Sequence, residues 1–351
     1  MSIRHDWEQE EVSKLYDLPL LDLVYKAATV HREFHDSKQI QISSLVSIKT
    51  GGCSEDCSYC PQAARYSTGV DAHKLLEVDT VIDQAKKAKD SGASRMCLGA
   101  AWREVRDNRD FDNVLEMVRG INDMDMEVCC TLGMLNSEQA QRLKDAGLYA
   151  YNHNIDTSKE KYSDVITTRT FEDRLDTHKS VRKAGITLCS GGIIGLGEEK
   201  KDRISMLMTL ANYEKHPESV PINTLVPVEG TPLENNQEVP SWDLIKMVAI
   251  ARIMMPVSAV RLSAGRLELT DEAQALCFMA GANSIFAGET LLTTSNPEFQ
   301  SDRILFKNLG LNAKVPFEDG AQPEVNERYK ENSAKAKMEE KVRSWKKEMT
   351  K

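Results

Sequence analysis

Two apolar periods alternate along this chain, and the alternation repeats almost to its end. Val12, Leu15, Leu18, Leu21, Leu23 and Val24 recur at helical spacing with few breakers, predicting a helical segment over 8–34. Residues 41–48 switch to β-branched and apolar types ending at Lys49 and Thr50, predicting a strand. Helices are then predicted over 80–89, 111–123, 137–145, 171–183, 203–213, 243–255 and 271–279. Between them fall predicted strands at 95–98, 127–132, 148–154, 186–190, 220–226, 257–262 and 284–286. Glycine punctuates the helix-to-strand steps at Gly92, Gly147, Gly185 and Gly281. Eight strands separated by seven helices read as parallel βαβ units, and so as a (β/α)8 TIM barrel. A doubly wound open sheet also alternates in this way. The expected organisation is an N-terminal helical cap over 1–40, a barrel over 41–313 and a charged C-terminal extension over 314–351. That extension is dense in Lys and Glu, and reads as a solvated tail or peripheral helix with disorder near its end.

Composition narrows the partners. A chain of 351 residues suits a barrel, and 41% hydrophobic with 28% charged residues is ordinary for a globular protein. A formal net charge of −9 and a pI near 5.5 argue against nucleic acid or an anionic membrane as partner. No apolar run approaches a membrane span, and the polar, acidic start resembles neither a secretory signal nor a transit peptide. Eight cysteines in such a chain point to ligand or redox roles in a reducing, cytoplasmic setting rather than to a disulfide framework.

Chemistry concentrates just after the first predicted strand, where Gly51 and Gly52 lead into Cys53, Cys57 and Cys60. Three soft ligands in one loop suit a metal or cluster, and three leave a coordination position open. Barrel chemistry gathers at the C-terminal ends of the strands, which is where this loop falls. Strand alternation then groups other residues. Asn152, Asn154 and Asp156 share one face, with Tyr151 and His153 on the other. Arg95 pairs with Cys97, Thr187 with Cys189, and Ala259 with Arg261 and Ser263, while only one of Cys129 and Cys130 faces inward. A lone buried cysteine usually packs as a small hydrophobe. Three on separate strands with an arginine on a fourth leave a second, interior thiolate site open beside that plain reading. Cys277 falls on a helix and reads as structural. The glycine clusters at 99–101 and 191–197 allow either close ligand approach or tight turns.

The sequence around these positions resembles a known family. Cys53, Cys57 and Cys60, with Tyr59 before the last, match the CxxxCxxC motif of radical S-adenosylmethionine (SAM) enzymes. SIKTGGCSEDCSYCPQ from Ser47, RMCLGAAW from Arg95 and YNHNIDTS from Tyr151 narrow this to similarity with the biotin synthase family, as do CSGGIIGLGE from Cys189, PINTLVPVEGTPL from Pro221 and VRLSAGR from Val260. The resemblance spans about Ser43 to Gly288. It implies radical insertion of sulfur into dethiobiotin, the last step of biotin biosynthesis. It also implies a [4Fe–4S] cluster on Cys53, Cys57 and Cys60 that binds and cleaves SAM. A [2Fe–2S] cluster on Cys97, Cys129, Cys189 and Arg261 is the implied sulfur source, with Cys130 as a non-ligand and Arg95 supporting Arg261. Asp156 would hold the ribose and Arg174 the methionine carboxylate. Tyr59, Ile193, Gly195 and Val226 would border the adenine, with Asn154 near the nucleoside. Asn152, Asn154 and Asn223 would hold the ureido ring of dethiobiotin. No side-chain acid or base is required. A flavodoxin or ferredoxin as electron donor, iron–sulfur assembly machinery as a further partner, and a homodimer are implied as well.

Three other functions fit parts of the pattern. Another radical SAM barrel enzyme, such as a hydrogenase-maturation relative, needs the cysteine loop but not the interior set. A zinc-dependent barrel hydrolase needs histidines, carboxylates and a general base near the loop. An electron-transfer or cluster-scaffold protein has no use for the asparagine face.

Overall fold

Pro19 divides the predicted N-terminal helix in two. The computed structural model, which describes residues 2–288 and 290–326, has α1 (Gln9–Tyr16) and α2 (Leu20–Phe34) there. A ring without an N–H cannot continue a helix, but it serves well at the start of one. The break rotates the second apolar stripe: Leu23, Val24, Ala27 and Val30 are buried, while Leu21, expected on the apolar face, is 74% exposed. Both helices lie along the outer helices of the barrel, where Arg203 Nη1 donates to Tyr16 Oη at 3.1 Å and His35 meets the Pro256 carbonyl.

From there the elements run β1 (Gln39–Lys49), α3 (Val78–Asp90), β2 (Arg95–Ala100), α4 (Arg109–Asn122), β3 (Glu127–Thr131), α5 (Ser137–Asp145), β4 (Ala150–Asn152), α6 (Lys159–Val165), α7 (Phe171–Lys183), β5 (Thr187–Cys189) and β6 (Gly192–Ile194). They continue through α8 (Lys200–Ala211), β7 (Ser219–Thr224), α9 (Ser241–Met254), β8 (Ala259–Leu262), α10 (Asp271–Met279), β9 (Ser284–Phe286), β10 (Thr290–Leu291), β11 (Thr294–Ser295), α11 (Phe299–Leu309) and β12 (Asn312–Ala313). The order β1-β2-β3-β4-β5-β7-β8-β9 closes through a β1–β9 pairing, all parallel, into the eight-stranded barrel. The fifth strand is interrupted: β5 meets β7 only at Cys189 and Ser219, and after Ser190 and Gly191 the chain resumes as β6 against Ile222–Thr224. Sequence periodicity missed α6, β6 and everything after β9, because those pieces are too short or follow Gly288 without a clear period.

Strand alternation sorts the side chains into two cores. Met96, Leu98, Val128, Cys130, Tyr151, Leu188, Val220 and Leu262 pack outward under the helices in the main apolar cluster. Cys97, Cys129, Tyr149, Ala150 and Phe286 form a separate inner cluster. Cys130 therefore belongs to the outer layer, and Cys277 on α10 is also buried there. Barrel interiors are usually filled with Val, Ile and Leu. This one holds Gln41, Ser43, Arg95, Glu127 and Arg261, all buried.

Both ends of the barrel are covered by late segments. The β10–β11 hairpin reaches the C-terminal mouth, and Leu292 fills the space beside Gly99, where a Cβ would lie 2.7 Å from Leu292 Cδ2. Gly99, expected to admit a ligand or make a turn, admits this hairpin and also lines the cavity in the mouth. At the other end, residues 314–326 lie against the strand starts. Phe317 N–H donates to Glu127 Oε1 at 2.9 Å, its ring meets Tyr149 edge-on at 5.5 Å, and the Pro323 carbonyl accepts from Asn122 Nδ2 at 3.2 Å. Residues 327–351, the rest of the predicted extension, lie outside the described residues. No described helix is long and apolar enough to cross a membrane.

Candidate active site in the barrel mouth

The cysteine loop is folded by its own backbone. Gly51 and Gly52, with φ of 67° and 66°, turn the chain off β1, and a Cβ on Gly51 would lie 2.9 Å from Ala72 Cα. Cys53 N–H donates to the Gln62 carbonyl at 2.9 Å, Ala64 N–H to the Cys53 carbonyl at 2.7 Å, and Cys60 N–H to the Cys57 carbonyl at 2.9 Å. Burial pushes the Cys57 thiol up to about 12 and the Cys60 thiol up to about 11, so loading a metal centre here releases protons.

Asp56 ties this loop to the segment after α6. Its carboxylate accepts from Thr167 N–H at 2.9 Å, Thr168 N–H at 3.1 Å, Thr168 Oγ1 at 2.9 Å, Arg65 Nη1 at 3.0 Å and also Thr167 Oγ1. Burial raises its pKa, but the Thr167 and Thr168 donors outweigh that and hold it at about 2. A carboxyl depressed from its ordinary 3.8 to about 2 adds stability above the ordinary value and loses it as pH falls through the lower one. Asp56→Asn is expected to flatten the stability loss between about pH 4 and pH 2 in urea melts. An unchanged acid limb would mean that this carboxylate carries no such linkage.

Beneath the loop, register brings the interior thiols together. Cys97 lies opposite Cys129 across β2–β3, and Cys189 lies opposite Asn152 across β4–β5. Cys129 neighbours Cys97 across this register and is close enough to Cys189 for each to perturb the other's ionisation, and Arg261 Nη1 lies 3.8 Å from Cys189 Sγ. Burial opposes ionisation of Cys97, but Cys129, Arg261 and Arg95 together hold it below the ordinary thiol value. Arg261 is aimed by Ser284 Oγ at 2.8 Å and Gln41 Oε1 at 2.9 Å. Gln41 Nε2 in turn donates to Glu127 Oε2 at 3.1 Å. Arg95 does not touch Arg261. It pairs with Glu127 at 2.6 Å, so its support passes through Glu127 and Gln41.

The asparagine face opens into the same space. Asn152 Nδ2 donates to Thr131 Oγ1 at 3.1 Å, leaving its buried Oδ1 without a partner. Asn154 Oδ1 accepts from Gly191 N–H at 3.1 Å, across the interruption in the fifth strand. Asn223 is braced by the Gly192 carbonyl at 2.9 Å and by Ala264 N–H at 3.2 Å. Asp156 adopts φ 66°, its carbonyl accepts from Ile193 N–H at 2.7 Å, and its carboxylate is paired with Arg174. Arg174 Nε also donates to Tyr162 Oη at 2.8 Å. His153 packs outward against His178.

One cavity of about 320 Å³ joins these groups. Cys53, Cys57, Tyr59 and Cys60 line it from the loop, and Cys97, Cys129 and Arg261 from the interior. Asn152, Asn154, Asp156, Arg174, Ile193, Asn223 and Val226 line it as well. Cys189 reaches it through Cys129 and Arg261, while Gly195 is not in the wall. Its N–H is held by Glu198 at 2.9 Å, and its carbonyl accepts from Asn236 at 2.9 Å. Sequence reasoning missed Gln41, Glu127 and Ser284, although Gln41 and Glu127 have the inward parity of Ser43 and Cys129. It also missed Glu55, Arg169 and the hairpin residues Leu291–Thr294, for which no periodicity gave a signal.

The donor chemistry fits two clusters. Ser43 Oγ, Ser219 Oγ and Arg95 Nη1 are buried around the interior thiols with no hydrogen-bond partner, as donors waiting for an anion are. Arg169 Nε and Ser58 Oγ are likewise unpartnered near the cysteine loop. No three His, Cys, Asp or Glu side chains among the described residues converge on a single-ion site.

Comparison with known proteins places the chain. The model of the Radical SAM superfamily matches residues 47–211, and that of the Biotin and Thiamin Synthesis associated domain matches residues 221–312. Biotin synthase of Cytophaga hutchinsonii is 61% identical, over 92% of this chain and 96% of its own. The mitochondrial biotin synthase of Arabidopsis thaliana is 56% identical, over 92% and 86%. Among solved structures, methylornithine synthase aligns with a TM-score of 0.75 at 18% identity, covering 88% of this chain and 94% of its own. An [FeFe]-hydrogenase maturase from Carboxydothermus hydrogenoformans aligns at 0.76 and 18%, covering 88% and 76%. At that identity these two show the fold alone. Barrel, cysteine loop and family model together define a radical SAM enzyme that uses SAM and a [4Fe–4S] cluster. The second, interior donor set and the relatives above narrow this further. Within that class the chain belongs to the biotin synthase family, sulfurtransferases that also carry a [2Fe–2S] cluster.

Proposed function

We propose that Cys53, Cys57 and Cys60 hold the [4Fe–4S] cluster, and that Cys97, Cys129, Cys189 and Arg261 hold the [2Fe–2S] cluster. The reaction is that of the family, insertion of sulfur into dethiobiotin to give biotin. When bound, the clusters and SAM supply the chemistry: one-electron cleavage of SAM to a hydrogen-abstracting 5′-deoxyadenosyl radical, and the sulfur itself.

The side chains place and enclose the reactants. Asn152 offers its free Oδ1 to a ureido N–H, and Asn154 and Asn223, braced by backbone, keep their remaining donors and acceptors for the same ring. Asp156 takes the ribose hydroxyls. Arg174, with Nε and Nη2 already engaged, presents Nη1 to the methionine carboxylate. Tyr59, Ile193 and Val226 border the adenine, while Gly195 lies behind this wall. Leu45, Leu225 and Leu291 help to keep water from the cavity. Breaking an unactivated C–H bond homolytically asks no side chain for a proton.

Further parts of this reading rest on the family resemblance. A flavodoxin or ferredoxin delivers the electron, iron–sulfur assembly machinery supplies the clusters, and the chain works as a homodimer in the cytoplasm. Residues 1–40 form a helical annex, 41–313 the catalytic barrel and 314–351 an extension.

The observation that carries this reading is the single cavity shared by both thiol sets and the asparagine face. The reconstituted protein, given reductant, SAM and dethiobiotin, is expected to yield 5′-deoxyadenosine and biotin by mass spectrometry. Absence of 5′-deoxyadenosine would sink it.

A further inference from the structure

We propose that Arg169 is a positioning residue for the cysteine-loop cluster, donating to the Cys57 sulfur and thereby raising the cluster's affinity for its electron. The proposal rests on assigning Cys57 to that cluster.

Three observations lead to it. Arg169 is nine-tenths buried in the wall of the cavity, at the end of the Thr167–Thr168 clip that grips Asp56. Its Nη2 lies 3.9 Å from Cys57 Sγ, a long contact that is the only hydrogen bond the guanidinium makes among the described residues. Its Nε is buried without a hydrogen-bond partner, standing 3.8 Å from Glu55 Oε2.

Glu55 does not satisfy this arginine. One of its oxygens accepts from Thr168 Oγ1 and the other is drawn toward Arg103 Nε at 3.6 Å, so the carboxylate is shared among three groups. Arg174, close enough to repel Arg169, is committed to Asp156 and Tyr162. A buried guanidinium with slack contacts on both sides is poised for an anion larger than a carboxylate. A thiolate-ligated cluster at Cys57 is such an anion. Each added electron makes it more negative, and a fixed cation with an N–H aimed at its sulfur stabilises the reduced state more than the oxidised one.

The sign distinguishes this role from a scaffold role. In redox titrations of the reconstituted holoenzyme without SAM, followed by the paramagnetic signal of the reduced [4Fe–4S] cluster, Arg169→Gln should lower the midpoint potential. Arg169→Lys should recover part of the shift, because it keeps the charge but loses the fork. The visible absorbance of the [2Fe–2S] cluster should not move, since no interior thiol touches Arg169. An unshifted potential in cluster-loaded Arg169→Gln overturns the proposal. So does unaltered potential with weakened SAM binding in equilibrium dialysis, which would make Arg169 a SAM ligand. Failure of both variants to load the cluster would also overturn it, as a structural role. Cys57→Ala separates the premise: retention of the [4Fe–4S] signal there means that the cluster assignment, not Arg169, is wrong.

Discussion

Replacing Cys97 with alanine is expected to abolish the [2Fe–2S] absorbance and all biotin formation, while leaving the reduced [4Fe–4S] signal and some 5′-deoxyadenosine formation intact. Cys97 is the interior thiol that its surroundings most favour as a thiolate, through the Cys129 thiol, Arg261 and Arg95. Without it, Cys129 and Cys189 remain coupled to each other, and Arg261 keeps its braces on Ser284 and Gln41. The fold should survive, because losing one buried sulfur costs only about 1 kcal/mol. The cysteine loop is held by Gln62, Thr167 and Thr168, none of which touches Cys97. Ultraviolet–visible and low-temperature paramagnetic spectra of the reconstituted variant measure the two clusters separately. Loss of both would show that the interior thiols build the barrel rather than bind a cluster of their own.

The separation of those two sites was legible in the sequence because parity on a strand is a strong constraint. Alternation groups Arg95 with Cys97 and Thr187 with Cys189 and turns only one of Cys129 and Cys130 inward; the family resemblance selects Cys129, and the register pairs it with Cys97. Cys130, its neighbour, packs outward beside Leu98 and Tyr151. What alternation does not reveal is how polar side chains from different strands reach one another. The resemblance implies that Arg95 supports Arg261, but not by what route: Glu127 captures it because a buried arginine needs a full counter-charge, and the support passes on through Gln41. The closures at both ends were illegible for another reason. The hairpin at Thr290–Ser295 and the turn at Phe317 each depend on a non-glycine residue with positive φ, Leu292 at 56° and Phe317 at 59°. Tertiary contacts impose those conformations against local preference. Arg169 sits in a stretch with no period at all, and only the fold brings it to Cys57.

Gly191→Ala should damage the fold and the substrate site together. An ideal Cβ there would lie 1.8 Å from the Pro221 carbonyl oxygen, 2.8 Å from its carbon and 2.9 Å from its nitrogen. These are backbone atoms of the adjacent strand, with no side chain free to rotate away. The methyl must therefore wedge the interrupted fifth strand from β7, at a cost of about 3 kcal/mol or more. In a chain of this size that corresponds to a melting-temperature loss of roughly 4 °C. The same wedge pulls Gly191 N–H from Asn154 and strains the Ile155 contact to the Gly191 carbonyl. It also moves Asn223, two residues beyond Pro221 on the displaced strand. Dethiobiotin binding should consequently fall at least about tenfold, one lost hydrogen bond's worth, at temperatures where the variant is still folded. Gly185→Ala is the matched control. Its φ of 69° is unfavourable for alanine, but nothing lies within 4 Å of the added methyl. It should cost about 1 kcal/mol of stability and leave dethiobiotin affinity unchanged. Equal losses of affinity in the two variants would mean that general destabilisation, rather than the β5–β7 seam, controls the asparagine face.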